Sequence, residues 1–181
     1  PLRRQRQMCI RDSPIAHWAE QLTKELRLGA QILTDHNITP PAANTVFFGG
    51  GTPSLLGRQL PKILDVVREC FGIAPGAEIT SEANPESTSP ELFDCWRAGG
   101  VNRLSLGMQS SEPRVLALLD RQHDPARAVA AIEEAQAAGF EHLNLDLIYG
   151  TPGETTDDVA RSVDTVLATG VDHVSAYALT I

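Results

Sequence analysis

The chain has 181 residues, 42% of them hydrophobic, and a formal net charge of −8, which suits one domain with a substantial core. That acidic balance argues against nucleic acid as a main partner, because phosphate binding needs a basic patch and the one basic cluster is Arg3, Arg4 and Arg6. No apolar run approaches membrane-spanning length, so a soluble, cytoplasmic protein without a transmembrane segment is expected.

Residues 1–12 do not match the rest of the chain. They lack apolar period, and Met8-Cys9-Ile10-Arg11-Asp12-Ser13 resembles the translated adaptor sequence found at the ends of some metagenomic gene products. The stretch is read as non-native, with a disordered basic tail as the alternative, and 13–181 as the folded part. Ser13 can cap a helix whose first turn holds Pro14 and whose stripe is Ile15, Trp18, Ala19, Leu22, Leu26 and Leu33. A loop over Asp35 to Ala43 leads to Thr45-Val46-Phe47-Phe48, a β-branched and aromatic run that reads as a buried strand. Gly49, Gly50 and Gly51 then strip the backbone of side chains, and Thr52-Pro53 turns it towards a helix. Strand, glycine loop and helix make a βα unit with a ligand-sized gap at the carboxyl end of the strand. A tight turn without a ligand is the competing reading.

The pattern then repeats. A helix over Gln59 to Cys70 is followed by a strand around Glu78 to Ala83 that Asn84-Pro85 stops. A helix from Ser89-Pro90 to Ala98 closes at Gly99-Gly100 before the strand Asn102 to Gln109. A short helix over Glu112 to Leu119 and another from Asp124-Pro125 to Gly139 precede the strand Leu143 to Ile148. The loop Tyr149 to Glu154, a helix over Thr156 to Ala168 and a strand from His173 to Ile181 complete the series. Strands alternating with helices mean a parallel sheet, in a partial barrel or an open doubly wound sheet. Cys9, Cys70 and Cys95 lie far apart and no two have C-x-x-C spacing, so they form no zinc or iron–sulfur site unaided. Cys70 and Cys95 sit on apolar helical stripes, as buried structural thiols of a reducing cytosol would.

Alternation within the strands separates the two architectures. Leu143, Leu145 and Leu147 share one face and Asn144 and Asp146 the other; Thr80 and Glu82, Arg103 and Ser105, and Ser175 and Tyr177 split from apolar neighbours in the same way. A doubly wound sheet, covered on both faces, should read as near-continuous apolar runs. A polar inner face suits a barrel that encloses a polar ligand, since burying such groups without partners costs several kcal/mol each, of order 2–7. Glu82, Gln109, Asp146 and the glycine loop fall at strand carboxyl ends, where parallel sheets and barrels bind. Internal pairing, such as Arg103 with Asp146, is the alternative use of these charges.

Five motifs occur in one order: Gly49-Gly50-Gly51-Thr52-Pro53, Glu82-Ala83-Asn84-Pro85, Asn102-Arg103-Leu104-Ser105-Leu106-Gly107-Met108-Gln109-Ser110, Arg121-Gln122-His123-Asp124 and Asn144-Leu145-Asp146-Leu147-Ile148-Tyr149-Gly150. With them the chain resembles, from about Ser13 to Ile181, the radical S-adenosylmethionine (SAM) proteins of the oxygen-independent coproporphyrinogen III oxidase group, and most of all their haem chaperone branch. The resemblance implies an α/β fold, a partial (β/α)6 TIM-like barrel, here without the first strand and its cluster loop and without the C-terminal region. In that group a C-x-x-x-C-x-x-C loop holds a [4Fe–4S] cluster whose open iron binds the amino and carboxylate groups of SAM, and reductive cleavage yields a 5′-deoxyadenosyl radical. By position, Gly50, Gly51 and Thr52 match the glycine motif at SAM. Glu82, Gln109, Arg121 and Asp146 match residues that contact SAM, and Thr180 falls near the adenine edge. Bare backbone can lie along the methionine moiety, carboxylates can take its ammonium or ribose hydroxyls, and Arg121 can face its carboxylate. The bland readings are structural ion pairs for Glu82 and Asp146, a turn cap for Gln109 and a solvated cation for Arg121.

The departures from the group bear on activity. The cysteine loop should lie just before Ser13, where only Cys9 stands, so the [4Fe–4S] cluster is expected of a full-length protein and not of this chain, which should be inactive alone. Met108 replaces a usual β-branched residue, Ser111 a common aromatic and Thr151 a usual leucine. Three functions compete. The first is a haem chaperone that carries haem or another tetrapyrrole to haemoprotein recipients; Asn84 suits it, since the true oxidases tend to be acidic there. The second is the oxidase, which decarboxylates coproporphyrinogen III propionates to vinyl groups. The third is an unrelated barrel enzyme whose glycine loop grips phosphate. His123, a lone loop histidine, is left out of the site. Loss of a barrel edge would expose the strand around Val46 to aggregation.

Overall fold

The computed structural model describes residues 15–121 and 124–180. Five strands, β1 (Ala43–Phe48), β2 (Ile73–Ala83), β3 (Arg103–Gln109), β4 (His142–Tyr149) and β5 (His173–Ala178), pair in parallel in the order of the sequence. Helices alternate with them: α1 (Ile15–Asp35), α2 (Gln59–Phe71), α3 (Pro90–Gly99), α4 (Pro113–Leu118), α5 (Pro125–Ala137) and α6 (Thr156–Ala168). A doubly wound sheet reverses its strand order at a switch point, whereas a barrel advances by one neighbour at each crossover. The unreversed order therefore decides for the barrel: the strands form a half-barrel with the helices outside.

The core lies between strands and helices. Leu104 and Leu106 of β3 and Leu143, Leu145 and Leu147 of β4 pack with Leu60, Leu64, Phe93, Trp96, Ile132 and Val166 from the helices. Burying each such side chain contributes roughly 1.5–3 kcal/mol, and Phe93 meets Phe140 edge-on with ring centroids 6.1 Å apart. The period-two split seen in the sequence is the reason the opposite face stays polar, with Thr80, Ser105 and Asn144 turned inward.

Helix ends follow their caps. Ser89 accepts the Leu92 N–H, Asp124 accepts the Ala126 N–H, and Thr155 and Asp158 close a capping box on α6. The expected cap at Ser13, Pro14, the stretch 1–12 with Cys9, and Gln122, His123 and Ile181 lie outside the described residues.

Several expectations require correction. β1 is not buried: it is an edge strand of the described sheet, and Phe47 on its inner face is 60% exposed. β2 starts at Ile73, well before Glu78, because a register shift lets the β1 pairing jump from Ala43↔Ile73 to Thr45↔Glu78 across Pro75 and Gly76. Cys70 and Cys95 are half-buried rather than buried, the core positions of their helices being held by Leu60, Ile63 and Leu64 on α2 and by Phe93 and Trp96 on α3. Arg103 does not pair with Asp146; its closest carboxylate contact is Glu78 at 3.9 Å, one strand over at the amino-terminal end of the sheet.

Candidate functional site

The carboxyl ends of the strands enclose a polar cavity of about 320 Å³, with Gly51, Thr52, Glu82, Gln109, Arg121 and Asp146 among its lining residues. Six of the eight residues singled out in the sequence thus converge on one space. Gly50 stands at its edge and faces the neighbouring apolar cleft of about 530 Å³ between α1 and the glycine loop. Thr180 is exposed just past β5 and does not line the polar cavity.

The glycine loop is shaped by backbone conformation. Gly50 and Gly51 have φ values of +78° and +57°, and a Cβ built on either would meet nothing within 4 Å. Glycine is required there for its conformation, and the space above it is open to a ligand. Gly49 differs: a Cβ would stand 2.3 Å from the Phe47 ring. The Gly50 N–H donates to Glu82 Oε2 at 3.0 Å, tying the end of β1 to the end of β2.

Asp146 is held from three strands. Asn144 Nδ2 donates to Asp146 Oδ1 at 2.7 Å and to Ser105 Oγ at 2.8 Å, Ser105 donates to both carboxylate oxygens at 3.3 Å, and Ser175 donates to Asn144 Oδ1 at 3.1 Å. Burial nevertheless raises the Asp146 carboxyl above its ordinary value of 3.8; the bonds from Asn144, Ser105 and Ser175 and the distant Arg103 charge only oppose that rise. The group is therefore a fixed acceptor with a reason to gain a further donor.

Gln109 reaches the cavity through an irregularity. In the β3–β4 ladder Gly107 pairs with Asp146 but Gln109 with Leu147, and Gln109 has φ +69°. The bulge sends Met108 fully into the core while Gln109 still points inward. A Cβ on Gly107 would stand 2.6 Å from Gln109 Nε2, so a side chain there would displace the amide. Ser111, just beyond, bonds Ser162 of α6 through its N–H at 2.9 Å, and the Thr151 hydroxyl is buried without a hydrogen-bond partner among the described residues.

A family model described as "Radical SAM superfamily" matches residues 30–166. The chain belongs to the radical SAM superfamily. Among its relatives, the heme chaperone HemW of Mycobacterium tuberculosis is 58% identical over 165 residues, which cover 91% of this chain and 41% of that protein. HemW of Bacillus subtilis is 33% identical over 176 residues, covering 95% of this chain and 45% of the relative. The structure of coproporphyrinogen III oxidase (HemN) from Escherichia coli, itself a radical SAM enzyme, superposes with a TM-score of 0.79 at 30% identity, covering 91% of this chain and 38% of that one. The chain spans less than half the length of each.

Radical SAM membership implies both SAM and a [4Fe–4S] cluster, and the residues present fit them unequally. Open space over two positive-φ glycines, beside a braced and partly desolvated carboxylate, fits a polar ligand with donors. A cluster does not fit: among the described residues the cysteines are Cys70 on α2 and Cys95 on α3, both on the helical layer outside the barrel. No group of three or more His, Cys, Asp or Glu residues able to hold a metal occurs among the described residues. No helix among them is long and apolar enough to cross a membrane.

Sequence reasoning placed Ser105, Asn144, Ser175 and Tyr177 on the inner face but gave them no task. Three of them brace Asp146 and Tyr177 lines the cavity. Ser54 was missed altogether. Its only signal was a small hydroxyl residue among apolar neighbours, which says nothing about what lies across the fold.

Proposed function

We propose that this chain is the SAM-binding part of a HemW-type haem chaperone, which carries haem or another tetrapyrrole to haemoprotein recipients in the cytoplasm. The observation that carries the reading is the meeting of Gly51, Thr52, Glu82, Gln109, Arg121 and Asp146 around one polar cavity in a chain 58% identical to a HemW. In this reading the backbone at Gly50 and Gly51 runs along the methionine part of SAM. Glu82 and Asp146 take its ammonium or ribose hydroxyls, Arg121 pairs with its carboxylate, Gln109 closes the inner wall, and Thr180 lies towards the adenine edge. Bound SAM supplies a sulfonium group open to reductive cleavage, and the chain's own residues bind it, orient it and keep water from its polar contacts. The cluster belongs, in this reading, to the longer protein, and no step is derived through it.

Two titrations test the proposal. SAM added to the 181-residue chain in a calorimeter should give saturable binding that Asp146→Ala abolishes. In the longer protein, haem should bind stoichiometrically while coproporphyrinogen III is left unconsumed. Consumption of coproporphyrinogen would favour the oxidase, a second reading supported by the fold likeness to HemN at a TM-score of 0.79. Affinity for inorganic phosphate without SAM binding would favour the phosphate-gripping barrel enzyme instead.

A further inference from the structure

The loops after β1 and β2 are tied together twice. One tie, from the Gly50 N–H to Glu82, faces the cavity. The other lies behind it. Ser54, 3% exposed, accepts the Asn84 N–H at 3.1 Å and stands 2.5 Å from Ser87 Oγ, which bonds the Asn84 carbonyl at 3.0 Å. Each hydroxyl carries one proton, so the directions follow. Ser87 donates to the carbonyl, Ser54 donates to Ser87, and the Asn84 N–H donates to Ser54, closing a ring that uses both backbone polar groups of Asn84.

Geometry connects this ring to the ligand side. Asn84 continues the extended backbone of β2 with φ −89° and ψ 122°, two residues beyond Glu82, so the place of its backbone sets where the Glu82 side chain leaves the strand. Ser54 in turn belongs to the 3-10 turn Pro53–Leu56 that follows the glycine loop. That turn is anchored from below by the fully buried Trp96, whose Nε1 donates to the Gly57 carbonyl at 2.9 Å. A rigid support thus reaches, through one hydroxyl, the backbone of Asn84, two residues beyond the Glu82 that bonds Gly50.

We propose that Ser54 is a positioning residue: its buried hydroxyl holds the Glu82 carboxylate against the Gly50 amide and so keeps the glycine loop in its ligand-receiving shape. Only the ligand-binding arm of the test rests on the SAM reading above.

The test uses the 181-residue chain with the variants Ser54→Ala, Glu82→Ala and their combination. Amide hydrogen exchange at Gly50 is followed by NMR, with Leu104 as the reporter of global opening. Ser54→Ala should speed exchange at Gly50 by about fivefold to tenfold, the value of one hydrogen bond, and leave Leu104 unchanged. SAM affinity should fall by a similar factor in Ser54→Ala, yet the double variant should bind no more weakly than Glu82→Ala alone, because Ser54 acts through Glu82 and alanine leaves no acceptor to position. Exchange at Gly50 that rises only in step with Leu104, or losses that simply add, would overturn the proposal. Should Ser54→Ala fail to fold, Ser87→Ala cuts the same ring from its other side and must give the same signature at Gly50. If the unaltered chain takes up no SAM, the functional reading falls, and the exchange arm alone decides the role of Ser54.

Discussion

Glu82 Oε2 accepts the Gly50 N–H at 3.0 Å, so the carboxylate of β2 holds the glycine loop that follows β1. One oxygen is committed to this bond, and the residue also lines the cavity at the ends of both strands. The same residue therefore serves the fold and, in the proposed function, the ligand.

Glu82→Gln separates these two duties. The amide oxygen can still accept from Gly50, so the melting temperature should change little. The lost charge should weaken SAM binding by about tenfold or more, since a hydrogen bond to a charged group is worth about 1.5–3 kcal/mol. Calorimetric titration alongside thermal melting checks this, and equal SAM affinity in the variant would remove Glu82 from the binding set.

Asp146 makes binding depend on pH. Its carboxyl is raised above 3.8 by burial, so in the free protein it keeps its proton to higher pH than an ordinary aspartate. A ligand that donates to it favours the ionised form and expels that proton. SAM affinity should therefore rise with pH through the Asp146 titration and level off above it, and Asp146→Asn should flatten the profile. An unchanged slope in the variant would assign the pH dependence elsewhere.

Away from the cavity, Asp158 should govern acid stability. Thr155 bonds it through both hydroxyl and backbone N–H, Arg114 pairs with it, and together they lower its carboxyl from 3.8 to about 2. A folded value below the unfolded one means the stabilisation is complete above about pH 4 and is lost as pH falls through about 2. Thermal melts of Asp158→Asn should accordingly lie below wild type at pH 7 and converge with it in strong acid. A constant gap across that range would contradict the assignment.

Thr151 is the place where a substitution should help. Its hydroxyl is buried without a hydrogen-bond partner among the described residues, while its N–H is satisfied by Glu154 at 3.1 Å. Thr151→Val keeps the shape and the backbone bond and removes the unmatched oxygen, so stability should rise by about 1 kcal/mol. Urea unfolding measures this, and a loss of stability would mean that the hydroxyl has a partner in solution.

The alternation of strands and helices, their caps, the polar and apolar faces of β3 and β4, and the glycine loop were all legible in the sequence, because each rests on residues within a few positions of one another. Period two, period 3.6 and the φ freedom of glycine are local properties. A barrel already implied strands neighbouring in chain order and an exposed edge around Val46; not legible were the register shift that starts β2 at Ile73 and the bulge at φ +69° from which Gln109 enters the cavity. The bracing of Asp146 by Ser105 spans 41 residues and the Ser54–Asn84 tie spans 30. A serine announces a hydroxyl but not its partner. The sequence by itself determined what each stretch would become and which side chains would face inward; only the tertiary structure decided which of them meet, because hydrogen bonds between distant strands depend on register, which no local pattern encodes.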